Sequence, residues 1–231
     1  MKVGIITGAS RGFGRALALA LEERGWSLVL DARGAEDLAR VRAELGDGVV
    51  AIAGDVTDAS HRRALVAAAE RLGGVDLLCN NASELGPSPL PALAEYPEHA
   101  LRAVVETNVL APLALIRLAL PALSARSGTI VNVSSDAAVE AYAGWGGYGA
   151  SKAALDHASA VLAVERHDIR TYAFDPGDMR TEMHQRAFPG EDISDRAEPA
   201  TVVPALLRLL EERPASGRYR AADLLRAEVA T

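Results

Sequence analysis

A short apolar run, Val3-Gly4-Ile5-Ile6, leads into Thr7-Gly8-Ala9-Ser10-Arg11-Gly12-Phe13-Gly14, and that turn opens at once into Arg15-Ala16-Leu17-Ala18. A strand passing through a glycine-rich turn into a helix leaves the helix's first N–H groups unpaired, with the positive end of the helix dipole behind them. Such a turn either simply closes a tight connection or holds a phosphate, because glycine lets the backbone approach a pyrophosphate closely. The context of strand, turn and helix favours the phosphate. The spacing is T-G-x-x-x-G-x-G, distinct from the G-x-G-x-x-G of the general dinucleotide fingerprint.

The same strand and helix alternation runs down the chain. Aliphatic runs at 2–7, 27–30, 49–54, 75–79, 129–134 and 169–174 are the expected strands, with a short last one within 217–222. They are nearly continuous in apolar character, as parallel strands covered on both faces require. Amphipathic patterns at 15–24, 35–45, 59–72, 98–124, 148–166 and 201–212 are the expected helices. The fold class is α/β: a single-domain, doubly wound Rossmann-type parallel sheet with helices on both faces. Pro112 falls one turn after Asn108 and should disturb the long helix there.

A chain of 231 residues, 49% hydrophobic, can bury one sizeable core, so one domain over 1–231 is expected. The net charge of -7 gives no basic face for a nucleic acid. The single Cys79 excludes an internal disulfide and a cysteine-held zinc, which fits a reducing compartment. The N-terminus has no signal-peptide core and no later stretch is expected to reach the apolar length of a membrane span, so a cytoplasmic location without membrane partners is expected. No metal site is expected.

Tyr148 and Lys152 lie four residues apart at the start of an expected helix, so they share a face. An ordinary phenol titrates near about 10 and is a poor base at neutral pH, and a neighbouring ammonium favours its ionised form. Taken singly, these residues read blandly: a tyrosine with a lysine one turn on is commonly surface packing, and Ser135 commonly caps a turn. Asp55 commonly caps a helix, with Thr57 and Asp58 as rival caps, and Asn80 commonly satisfies nearby backbone.

In order, the glycine turn, Asp55-Val56, Asn80-Asn81-Ala82, Asn108, Ser135 and Tyr148-x-x-x-Lys152 resemble the pattern of the short-chain dehydrogenase/reductase family, from Lys2 to about Thr181. Ser135 lies thirteen residues before Tyr148, the interval usual in that family, which favours Ser135 over Ser134. The resemblance implies a catalytic set of Asn108, Ser135, Tyr148 and Lys152. Tyr148 then exchanges the proton with the substrate oxygen, Ser135 hydrogen-bonds that oxygen, Lys152 also holds the nicotinamide ribose, and the Asn108 main-chain carbonyl binds a water. It also implies cofactor contacts at Gly8, Ser10, Arg11, Gly12, Phe13 and Gly14, and at Asp55, Val56, Asn80 and Ala82. Ser83 replaces the family's usual glycine and narrows the space beside the cofactor.

Choice of cofactor turns on the end of the second strand, where an acid meets a free ribose and a cation meets a 2′-phosphate. A loose count puts Asp31 there and predicts NAD. Aligned from Gly14, the acid position falls on Ala32 and the phosphate-binding position on Arg33, with Arg11 as a second. NADP is therefore expected, with NAD the less favoured alternative.

After the sixth strand, Pro176, Gly177 and Thr181 resemble the family segment that meets the nicotinamide amide. Residues 178–199 are the expected lid, within which His184 reads as a surface residue, and Tyr142 and Trp145 are candidates for the opposite wall. The expected function is hydride transfer between NADP(H) and a carbonyl or secondary alcohol of a small molecule, in the reductase direction. The alternative is an NADP(H)-binding regulatory or interaction protein without turnover. The resemblance further implies a homodimer or homotetramer through the two long helices. The family's usual glycine-rich ending is absent.

Overall fold

The computed structural model describes residues 1–229. Seven strands form one sheet: β1 (Val3–Ile6), β2 (Ser27–Ala32), β3 (Val49–Ala53), β4 (Leu77–Asn80), β5 (Thr129–Val133), β6 (Arg170–Asp175) and β7 (Gly217–Arg220). Their order is β3-β2-β1-β4-β5-β6-β7, and every pairing is parallel. The chain reverses its direction of travel between β1 and β4. In an open parallel sheet this switch point leaves a crevice beyond the strand C-termini.

The continuous apolar runs are explained by two cores, one on each face. Along β2, Leu28 and Leu30 point to one side and Val29 to the other. Along β4, Leu77 and Cys79 share the first side and Leu78 faces the second. One face is closed by α1 (Gly12–Glu22), α2 (Ala35–Ala43) and α8 (Pro199–Glu212), through Leu17, Leu21, Leu38, Leu206 and Leu210. The other is closed chiefly by α3 (Ala59–Leu72) and α5 (Ala111–Ala125), through Leu65, Ala69, Leu115, Ala119 and Leu123. A period of two along each strand therefore meets apolar side chains on both sides.

The helix expected over 98–124 is a composite of α4 (Glu98–Val105), a π-helical turn (Glu106–Leu110) and α5. Pro112 has no N–H to give the Asn108 carbonyl, and the wider turn sits just before it. One expectation needs correction: the rod Glu98–Ala125 is, by length and composition, long and apolar enough to cross a membrane. Much of its apolar content is spent on the sheet, where Leu115, Ile116, Ala119 and Leu123 are buried, while Leu110 and Leu113 remain exposed.

The remaining helices are α6 (Gly146–Glu165), α7 (Glu182–Ala187) and α9 (Ala221–Val229). The expected last strand is present as β7, and α7 lies within the segment 178–199. Helix α1 starts at Gly12, inside the turn, three residues earlier than the sequence pattern suggests. Asp58, not Asp55, caps α3, accepting from the Ser60 N–H at 2.7 Å.

Candidate active site

The strand C-termini open into a cleft of about 710 Å³. At one end lies the glycine turn, with Gly8 at φ +65° and Gly12 at +56°, backbone that side-chain-bearing residues rarely adopt. A Cβ on Gly14 would lie 2.6 Å from the Gly8 carbonyl, so Gly14 serves close packing of α1 on the turn and does not itself line the cleft. Gly8, Ser10, Arg11, Gly12 and Phe13 do line it. The N-terminus of α1 has no side-chain cap and no acid in its first turn, so its N–H groups and dipole are free to meet an anion, as a dinucleotide's phosphates require. These residues fit the expected cofactor.

The next stretch of wall carries Ala32, Arg33, Asp55 and Val56. The Asp31 carboxylate turns under the sheet end and meets His61 of α3, Nε2 to Oδ1 2.6 Å, with both side chains buried. His61 escaped the sequence reading. The Arg33 side chain is 64% exposed and comes only within 3.6 Å of Glu84, which leaves its guanidinium accessible. Arg11 pairs with Glu182 of α7 across the turn. Asp55 accepts from the Thr57 amide and hydroxyl, at 2.8 and 2.7 Å; against partial burial, these bonds with Arg33 and His61 hold its carboxyl below the usual range.

At the other end, Ser135, Tyr148 and Lys152 converge on the cleft floor. Lys152 is buried and donates to the Val133 carbonyl at 2.7 Å, with Nζ 5.5 Å from the Tyr148 ring centre. Burial lowers its ammonium to about 8, against a partial rise from Asp156. Tyr148 is also buried, and burial raises its phenol well above the ordinary value, with Asp175 and Asp136 adding. The Ser83 and Ser135 hydroxyls approach the phenol and act the other way. Trp145 meets the Tyr148 ring edge-on at 5.7 Å.

Asn108 stands behind this set. Its Oδ1 accepts from the Glu84 N–H at 2.7 Å and the Ser83 hydroxyl at 3.2 Å, while Nδ2 donates to the Glu84 carbonyl and to Ser151 Oγ, each at 2.9 Å. Ser151 in turn donates to the Tyr148 carbonyl at 2.6 Å. The side chain is thus fully engaged in joining the π-helical turn, the loop after β4 and α6.

The family description "short chain dehydrogenase" matches residues 2–192. The chain belongs to the short-chain dehydrogenase/reductase family. It is 36% identical over 184 residues to serine 3-dehydrogenase of Agrobacterium fabrum, covering 77% of this chain and 72% of that one. It is 36% identical over 201 residues to sepiapterin reductase of Rattus norvegicus, covering 80% and 77%. An alcohol dehydrogenase from the archaeon Thermococcus sibiricus, solved with 5-hydroxy-NADP, superposes with a TM-score of 0.85 at 28% identity, covering 95% of each chain.

For this short-chain dehydrogenase/reductase, Ala82, Pro176, Gly177 and Thr181 line the cleft as expected. Asn80 does not. It lies inside the sheet, its Nδ2 donating to Asn132 of β5 at 2.7 Å, and the lining there is made by Asn81 and Ala82. Period two decides this: Asn81, one residue on, holds the Thr7 and Gly8 carbonyls at 2.9 and 3.1 Å. His184 is not on the surface. It is 8% exposed, packs on Phe188 with ring centres 4.9 Å apart, and accepts from Arg196 at 3.3 Å.

Ser83, expected to narrow the space beside the cofactor, touches both Asn108 and the tyrosine. The site also holds a residue the sequence reading passed over. Glu84 sits between Arg33 and Arg186, at 3.6 and 3.5 Å.

Proposed function

We propose that this enzyme reduces a ketone or aldehyde with NADPH, or oxidises the corresponding alcohol with NADP, using Tyr148 to move the proton. The observation that carries the reading is the buried phenol beside Ser135 and Lys152 on the cleft floor. Burial keeps that phenol protonated, the state required of an acid that gives its proton to a developing alkoxide. Ser135 supplies a hydroxyl for the same oxygen, and the Lys152 charge stabilises the anion as it forms. The nicotinamide, when bound, supplies or accepts the hydride.

Arg33, with Arg11, suits a 2′-phosphate, and the Asp31 carboxylate is committed to His61 rather than offered to a ribose hydroxyl. A neighbour solved with an NADP derivative agrees with this choice. Thr181 and Met183 bring the segment 178–199 over the cleft as its lid, and Leu85, Trp145, Met183 and Ala187 make the substrate wall mainly apolar. The relatives named as a serine dehydrogenase and a sepiapterin reductase make a small alcohol or carbonyl compound the reading's substrate class. Self-association through α5 and α6, and a cytoplasmic location, complete the reading.

The experiment is NADPH oxidation across a panel of aldehydes and ketones, with Tyr148→Phe as control. Turnover by the parent that the variant loses supports the proposal. A parent that binds NADPH tightly and turns over nothing would instead be a cofactor-binding interaction protein.

A further inference from the structure

Strand β7 brings a cation to the back of the catalytic set. Arg218 Nε donates to Asp156 Oδ2 at 3.0 Å, and Nη2 donates to both the Ser135 carbonyl and Asp175 Oδ2, at 2.9 Å each. The three partners come from three elements. Ser135 follows β5, Asp156 lies on α6 one turn after Lys152, and Asp175 ends β6 just before Pro176-Gly177. Arg218 does not line the cleft.

Asp175 is buried and Asp156 largely shielded, with side chains 3% and 13% exposed, and each would be unfavourable there without a counter-charge. Asp175 Oδ1 accepts from the Gly177 N–H at 3.0 Å, while Asp156 Oδ1 has no hydrogen-bond partner among the described residues. Among the described residues, the other cation paired with Asp175 is Arg220, at 3.9 Å. One guanidinium therefore offsets two acids and holds the main chain of the serine, a task its fixed fork of donors suits.

We propose that Arg218 is the positioning residue of this catalytic set, fixing Ser135 and neutralising Asp156 and Asp175 where they flank Lys152 and Tyr148. The inference rests on the function proposed above for calling the set catalytic, but its electrostatic content does not need turnover.

The groups facing the pair are Asp156 from α6, Asp175 from β6, Asp136 from the turn after β5, and the Val133 carbonyl. Against these, Arg218 is the compensating cation. Removing it leaves Lys152 in a more negative surrounding, so the lysine holds its proton to higher pH.

The chain contains only two lysines, Lys2 and Lys152. A Lys2→Arg background labelled with carbon-13 lysine therefore reports the titration of Lys152 alone by NMR. From about 8 in the parent, the midpoint is expected to rise by roughly one pH unit in Arg218→Met. Arg218→Gln, which keeps an amide donor but no charge, should show the same rise, and adding Asp156→Asn to Arg218→Met should reverse it. An unchanged midpoint in the folded variants overturns the proposal, as does loss of the fold in both, which would make Arg218 a structural strut. A parent without turnover would defeat the proposed function and leave this readout intact.

Discussion

His61 Nε2 lies 2.6 Å from Asp31 Oδ1 beneath the end of β2, so the acid that counting from the glycine turn nearly places on the ribose is instead turned into the protein. Desolvation raises Asp31, and His61 draws it back. The hydrogen bond and charge of Asp31 raise His61 despite its burial. A histidine raised in the folded state stabilises fully below its unfolded value of 6.5, and that contribution is lost as pH rises through the folded value.

Asp31→Asn should therefore cost stability, about 3–5 kcal/mol if the histidine is left charged and unpartnered. The deficit relative to the parent should be largest below pH 6.5 and shrink as pH rises through the raised folded-state value of the histidine. Urea denaturation at a series of pH values measures it. A deficit that is constant with pH would mean the pair stays neutral throughout.

The same geometry makes a prediction about cofactor choice. With Asp31 engaged, Arg33 is the group at the strand end left for a 2′-phosphate, and it is largely exposed. Arg33→Ala should weaken NADPH roughly tenfold, the solvent-discounted worth of one charge-assisted contact, and leave NADH unchanged. Titration calorimetry with both reduced cofactors decides it. Equal weakening of both would place Arg33 outside phosphate recognition.

Why the sequence revealed one part of this and not another follows from the physics. The strands, the helices on both faces and the glycine turn are legible because continuous apolar runs, amphipathic patterns and clustered glycines are local signals. Tyr148, Lys152 and Ser135 were legible from order and spacing. Asp31–His61 and Arg218 with Asp156 and Asp175 were not, since they join residues far apart in the chain through tertiary packing. For Asn80 the resemblance implies both a role in the central sheet and a place beside the adenine ribose; its side chain holds Asn132 within the sheet, while Asn81, one residue on, faces the cleft. His184 was misread because its lid residues bury it against Phe188 and Arg196, a contact with no sequence period.

Tyr148→Phe should remove the proton donor while keeping the ring packed on Trp145. Turnover should fall by about 10²–10⁴-fold, the usual worth of a positioned acid, with NADPH affinity retained. Parallel loss of cofactor binding would mean that the hydroxyl chiefly shapes the site.

Lys152 is held charged at a cost. Its depression from 10.5 to about 8 corresponds to an order of about 3 kcal/mol favouring the unfolded state at neutral pH. This penalty is full below about 8 and vanishes as pH rises past the unfolded value. Lys152→Met should therefore be more stable than the parent at pH 7, by an amount that declines through the alkaline range, while turnover is lost. Denaturant midpoints across pH provide the measurement, and a variant less stable at neutral pH would show that the bond to Val133 outweighs desolvation.

The outer faces of α5 and α6 carry Leu113, 38% exposed, and Val161 and Val164, 42% and 73% exposed. Removing such side chains from water is worth about 1.5–3 kcal/mol each, so a second copy packed on these faces would gain from covering them. If these faces pair two copies as proposed, the double variant Leu113→Asp with Val164→Asp should be monomeric where the parent self-associates, without a change in far-ultraviolet circular dichroism. Both substitutions lie outside the cleft lining, so NADPH affinity per chain should be preserved. Sedimentation velocity reads the state directly, and a parent that is already monomeric at high concentration would remove these helices as an interface.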